Sequence, residues 1–203
     1  MKLKDFRKWM KKAIFTTAEA RIVCFTDKPS VLNLQLHQWT KSGDLISLKR
    51  GLFMFSDKHA TKTEIAKQLY YPCYFSLEYV LNLHGIMPEA VFEYTLVTTK
   101  TTRRFETPAG VFAYRKIKRE AFAGFDSETL MAEKEKALAD YFYLRGDSFK
   151  AEDDFWKESR LEATATNMDF KKVFRYAKLF KSKKLEFLLH SFFAYAKSHQ
   201  TRR

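Results

Sequence analysis

Lys49, Arg50 and Gly51 stand between two short apolar runs, Leu45-Ile46 and Leu52-Phe53-Met54-Phe55. Two cations on a tight turn suit one kind of chemistry: they hold a phosphate or another oxyanion and break no bond. The runs predict strands at 45–48 and 52–55, with Gly51 supplying the backbone freedom the turn needs. Lys49 and Arg50 then project from the tip of a two-stranded wing, in reach of sugar-phosphate or a minor groove. A plain hairpin with a solvated basic tip fits the same residues. The four apolar residues after the turn return to close a core.

The preceding segment, "SVLNLQLHQWTK", has the composition of a helix that reads nucleic acid. Leu32, Leu36 and Trp39 fall at i, i+4 and i+7 and share a core-facing side. The opposite side carries Ser30, Leu34, His37 and Lys41, with Asn33 and Gln38 at its margins and Lys28 just before it. Amides, small polar groups and cations suit base edges and phosphates. Leu34 touches a thymine methyl or packs on another segment. His37 reads as a surface histidine, because no second metal ligand lies at helical spacing.

Bond-making chemistry lacks a comparable constellation. There is no GxGxxG, Walker A loop, HExxH or GxSxG. "SGDLIS" has the wrong order for a nucleotidyltransferase turn, and the next carboxylate is Asp57, beyond the hairpin. Asp153-Asp154 and the "EKEK" of 133–136 are carboxylate-rich, but alternating Glu and Lys on a helix reads as a solvated face with weak pairs. The chain therefore reads as a non-enzyme, with no catalytic residues, no cofactor and no metal site.

Several elements must position the helix and the tip. Residues 5–14 predict a short amphipathic helix with Phe6, Trp9, Met10 and Ile14 on one face. Thr16 and Glu19 form a capping box that opens a second helix. A third begins near Ser30, after Pro29, and stops before "SGD", where Gly43 can take the left-handed conformation. Three helices followed by two strands is the order of a winged helix-turn-helix.

Beyond Asp57 the pattern is mixed. Thr61 and Glu64 repeat the capping box for "TEIAKQLY", and Ser76 is placed to cap "LEYVLNLHG", which Gly85 ends. "VFEYTLVTT", "RRFET" and "VFAYRKI" read as strands, the last two joined by a turn at Pro108-Ala109-Gly110. From about Ser127 the pattern is helical again, through "ETLMAEKEKALADYFYLR" and then roughly 152–162, 169–180 and 183–198. Phe170, Val173, Phe174, Ala177 and Phe180 make one apolar stripe near the end, and Leu185, Leu188, Leu189, Phe192 and Phe193 a second.

The expected fold class is thus α+β: a winged helix-turn-helix over 1–57, then a mixed domain over 58–203 with a small antiparallel sheet and several helices. At 203 residues, 46% hydrophobic and 16% aromatic, the chain has ample material for a core. The net charge is +13, a balance that attracts polyanions. Residues 1–60 hold 12 Lys/Arg against 5 Asp/Glu (+7), residues 61–150 are near balance at +1, and 151–203 carry +5. Two basic surfaces are expected, the second made by Lys171, Lys172, Arg175, Lys178, Lys181, Lys183 and Lys184. That second surface fits an ordinary solvated face, a further DNA contact, or a face for an acidic protein. Cys24 and Cys73, far apart and without a CxxC, suggest reduced buried thiols, and no apolar run approaches a membrane span. The location read from these features is cytoplasmic.

"WTKSGDLISLKRGLF", "YYPCYFSLEYVLNLHGIMPE", "TLVTTKTTRRFETPAGVFAYRKI" and "EKALADYFYL", in this order from about residue 14 to 145, resemble the AbiEi-like antitoxins. These are the transcriptional-regulator half of type IV toxin–antitoxin (abortive infection, phage defence) systems. The sequence departs in having Phe53 where a tyrosine is common after the wing glycine. The resemblance implies a winged helix that binds inverted repeats in its own promoter and represses the operon. It also implies a C-terminal domain that counteracts a nucleotidyltransferase-like toxin. The expected partners are therefore double-stranded DNA and such a toxin, with no membrane. A solitary regulator, a non-catalytic protein-interaction module and an RNA-binding protein are the other classes that fit.

Overall fold

The computed structural model describes residues 1–25, 27–159, 161 and 167–200, and its elements follow from the local signals with four instructive exceptions. The chain forms two compact units, Met1–Tyr71 with Phe105–Val111, and Pro72–Arg104 with Phe112–Arg203. The first unit therefore extends past the boundary expected at 57 and takes in the next helix. The whole is a mixed α+β structure.

The first unit runs α1 (Leu3–Trp9), β1 (Ile14–Thr16), α2 (Thr17–Val23), α3 (Pro29–Lys41), β2 (Leu45–Lys49), β3 (Leu52–Phe55) and α4 (Lys62–Tyr70). Its sheet is antiparallel in the order β1-β3-β2. Both capping boxes are formed. Thr16 Oγ1 accepts from the Glu19 N–H at 3.2 Å while Glu19 accepts from the Thr16 N–H at 2.7 Å. Thr61 and Glu64 repeat these distances at the start of α4. Pro29 takes the first position of α3, where its missing N–H costs nothing. Gly43, at φ +82°, follows the end of that helix.

The core of this unit is aromatic. Phe6, Phe15 and Phe55 are fully buried, with centroids 5.1–5.9 Å apart, and Trp39 stacks on Phe6 at 5.2 Å. The helix expected over 5–14 is shorter, because Ile14 instead opens β1, pairing with Met54. Phe6, Met10 and Ile14 are buried as the pattern implied, but Trp9 is 65% exposed.

The remaining elements are β4 (Cys73–Phe75), α5 (Leu77–Leu83), β5 (Glu93–Thr98), β6 (Arg103–Thr107), β7 (Gly110–Lys116), α6 (Lys134–Arg145), α7 (Asp153–Ser159), α8 (Phe170–Lys178) and α9 (Lys183–Gln200). All belong to the second unit except Phe105–Val111, the facing ends of β6 and β7, which count with the first. Strand order is β4-β5-β7-β6. The helix expected over 152–162 is seen to Ser159, and Arg160 and Glu162 lie outside the described residues. The two apolar stripes near the end pack together as α8 on α9, with Phe170 and Phe193 rings 4.0 Å apart and Val173, Ala177, Leu189 and Phe192 buried. Cys24 and Cys73 are free and buried.

Three expectations fail in this unit. The helix expected from Ser127 begins only at Lys134. Asp126 Oδ1 accepts from the N–H groups of Glu128 and Thr129 at 3.1 and 2.7 Å, a side-chain turn that competes with helix. Leu130 then takes φ +58°, and Met131 and Ala132 bridge to Phe75 and Phe125. Ser76 does not cap α5; its hydroxyl donates to Asp140 at 2.8 Å.

The "EKEK" segment is not a solvated face either. Glu135 and Lys136 are buried, as α6 is packed against α5, α8 and α9. Lys136 donates to Asp140 one turn on, and Tyr74 donates to the same carboxylate at 2.9 Å. Burial pushes Asp140 up and Lys136 down from their ordinary values, and the mutual attraction of the pair opposes both shifts.

Thr16→Ala should cost about 1 kcal/mol in urea unfolding, the usual worth of an N-cap hydroxyl. Glu19 is held below its ordinary range by the Lys12 side chain and the Thr16 hydrogen bonds. Its contribution is therefore complete above the ordinary Glu value of about 4.3 and disappears as pH falls through the lower folded value. Asp140→Ala leaves Lys136 buried without its partner and should cost roughly 3–5 kcal/mol. Replacing Lys136 with Met and Asp140 with Leu together should restore most of that stability by the same measurement.

Candidate functional site

The hairpin tip is asymmetric, and a bulge makes it so. Residues pair as Leu45↔Phe55, Ile46↔Met54 and Ser47↔Phe53, but the next pair is Lys49↔Leu52, leaving Leu48 as the extra residue. Leu48 is buried. A bulge re-aims the residues that follow it. Lys49, instead of reaching outward, donates to the Leu69 carbonyl in the last turn of α4 and lies 5.4 Å from the Phe105 ring centroid. That carbonyl end favours a cation. Arg50 is exposed.

The turn itself is tied to α2. The Thr17 N–H donates to the Gly51 carbonyl at 2.9 Å, and the Thr17 hydroxyl reaches the same oxygen at 3.5 Å. Gly51 has φ +77°, and a Cβ there would meet nothing closer than Thr17 Oγ1 at 3.5 Å. Its requirement for glycine is thus conformational rather than steric.

Between α2, α3 and the hairpin lies a cleft of about 650 Å³. Thr17 and Arg21 line it from α2, Asn33, Leu36, His37 and Thr40 from α3, and Ser47, Arg50, Gly51 and Phe53 from the hairpin. Three residues expected from sequence to touch DNA, Asn33, His37 and Arg50, therefore share one cavity. Lys28, Ser30, Leu34, Gln38 and Lys41 are exposed on or beside α3 but do not line it. Leu34, at 56% exposure, is not packed into the core. Lys49 is directed to α4. The lining set includes four polar residues absent from the sequence expectation: Thr17, Arg21, Thr40 and Ser47. Arg21 follows Thr17 by one helical turn, and that i,i+4 spacing was the available clue.

The second basic group lies on α8, the turn after it and the start of α9. Lys171, Arg175 and Lys178 are exposed and, at spacings of four and three, share a stripe. Lys181 and Lys183 are also exposed. Lys172 pairs with Glu133 at 2.8 Å, and Lys184 with Asp147 at 2.6 Å. Two of the seven cations are thereby compensated within their own unit.

Among the described residues no group of three or more His, Cys, Asp or Glu side chains is placed to hold a metal ion, and no helix is long and apolar enough to cross a membrane. No protein-family model matches the chain, and a search of curated proteins returns no match. The functional reading rests on the cleft and on the sequence.

Gly51→Ala should destabilise the protein by about 1–2 kcal/mol in thermal or urea unfolding. A Gly43→Ala control, at φ +82° with nothing within 4 Å of the added carbon, should lose a similar amount, which identifies backbone conformation as the common cause.

Proposed function

We infer that this protein is a DNA-binding transcriptional repressor whose first unit acts as a winged helix-turn-helix. The observation that carries the reading is the cleft in which Asn33 and His37 of α3 meet Arg50 of the hairpin tip. An amide that can pair with a base edge, an imidazole and an exposed guanidinium on adjoining elements make a surface for duplex DNA. In this mechanism α3 enters the major groove, with Ser30, Asn33, Leu34, His37 and Gln38 toward the bases. Lys28 and Lys41 meet phosphates near the two ends of the helix, and Arg50 holds the backbone beside it. The net charge of +13 supports binding to a polyanion.

The antitoxin role is supported by the resemblance of the four quoted segments to AbiEi-like proteins. On that reading the repressor acts on promoter repeats of its own operon. The second unit counteracts a nucleotidyltransferase-like toxin, with Lys171, Arg175, Lys178, Lys181 and Lys183 as its exposed cations.

Gel shift with the upstream region of the gene tests the repressor reading. Binding should be tighter than to scrambled duplex. If six to ten phosphates are engaged, it should weaken by roughly 10³–10⁵ between about 50 and 200 mM salt. Arg50→Gln should weaken binding, while Lys49→Gln should alter it far less, because Lys49 serves α4. No shift at low salt, or preference for structured RNA over duplex, would overturn the reading.

A further inference from the structure

Arg21 was not among the residues expected to meet DNA, yet it lines the same cleft as Arg50. Its position follows from the anchoring of α2. Thr17 is hydrogen-bonded to Gly51 at the turn, and Arg21 stands one helical turn later on the same face. Arg50 immediately precedes that glycine. Two arginines therefore line one opening, Arg21 from α2 and Arg50 from the hairpin, and both residues are exposed. No Asp or Glu is among the residues lining the cleft. Two like charges brought to one cavity with no carboxylate in its wall repel each other until an anion enters.

A hydroxyl and an amide point to the same kind of ligand. Ser47 supplies an O–H group from the hairpin, and the Asn33 amide lines the cleft from α3. Guanidinium forks with hydroxyl and amide donors are the groups that bind phosphate oxygens.

We propose that the cleft between α2, α3 and the hairpin seats a single phosphodiester of the DNA backbone, shared by Arg21 and Arg50. The proposal rests on the DNA-binding reading and specifies which phosphate contact sets the register of α3 on the duplex. Asn33 and His37, adjacent to that seat, are then held at a fixed offset from the backbone, so the seat positions them without itself reading sequence.

Sharing one phosphate has a distinctive salt signature. The slope of log affinity against log salt counts neutralised phosphates, at about 0.9 per phosphate. Removing one arginine of a pair leaves the phosphate neutralised by the other; removing both does not. Fluorescence anisotropy with the full chain and a labelled promoter duplex should show Arg21→Gln and Arg50→Gln each weakening binding about tenfold, the loss of one charge-assisted contact. The loss should be equal on promoter and scrambled duplexes, with the wild-type salt slope retained. The double variant should lower the slope by about 0.9.

If Arg21→Gln binds like wild type while Arg50→Gln is weakened, the shared seat is wrong and the DNA-binding reading survives. A slope that falls in each single variant and falls twice as far in the double assigns the arginines to two phosphates and also overturns the seat. Failure of the wild-type chain to bind any duplex removes the functional reading, and the seat with it.

Discussion

Strand β3 is the constraint on which the first unit depends. Its four residues, Leu52 to Phe55, pair with β1 on one side and β2 on the other, so their backbone is satisfied from both edges. Phe55 is fully buried between Phe6 and Phe15, while Phe53 stacks on Phe15 at 6.0 Å and also lines the cleft. Because β1 runs straight into α2, pairing with β3 also determines where α2 begins. That start brings the Thr17 N–H to the Gly51 carbonyl and places Arg21 beside the turn. A four-residue apolar run thus has two duties. It closes the core, and it brings the first turn of a helix to the hairpin tip.

Charge in this protein is divided between groups held within the fold and groups left exposed. Lys136 and Asp140 are wholly buried, with Tyr74 and Ser76 completing the hydrogen bonds of the carboxylate. Lys49 is likewise committed, to the end of α4. Arg7 reaches Asp57 and, at 3.5 Å, Asp44. By contrast the cleft gathers Arg21 and Arg50 with no acid in its lining. A basic residue's place in the sequence does not distinguish these fates; what surrounds its terminal nitrogen does.

The aromatic content serves packing in both units. Phe142, Trp156 and Phe192 form a group with centroids 5.2–5.7 Å apart, and the Trp156 indole N–H donates to Ser191 at 2.8 Å. With that donor satisfied, the largest ring in the second unit can be buried without an unpaired polar group. The stripes of α8 and α9 are therefore core, and the cations of α8 are carried on a helix that is fastened from behind.

Much of the architecture was legible because it depends on neighbours within a turn. Capping boxes at Thr16 and Thr61, Pro29 opening α3, the hairpin at 45–55 and the apolar stripes after 169 are local patterns with local energies. β1 and β4, each three residues long, carry too little periodicity to announce themselves and exist through their partners. Of the candidate site, Asn33, His37 and Arg50 were readable as polar groups beside an apolar repeat. Arg21 had only its i,i+4 spacing from Thr17 to mark it, because its place in the cleft depends on the contact of Thr17 with Gly51, 34 residues on. The sequence by itself determined which residues seek the interior and where helices start. Only the tertiary structure decided that a bulge at Leu48 turns Lys49 away from Arg50, and that Glu135 and Lys136 lie inside. Side-chain direction after a bulge, and burial around a helix packed on several sides, are set by contacts distant in the chain, which no local spacing encodes.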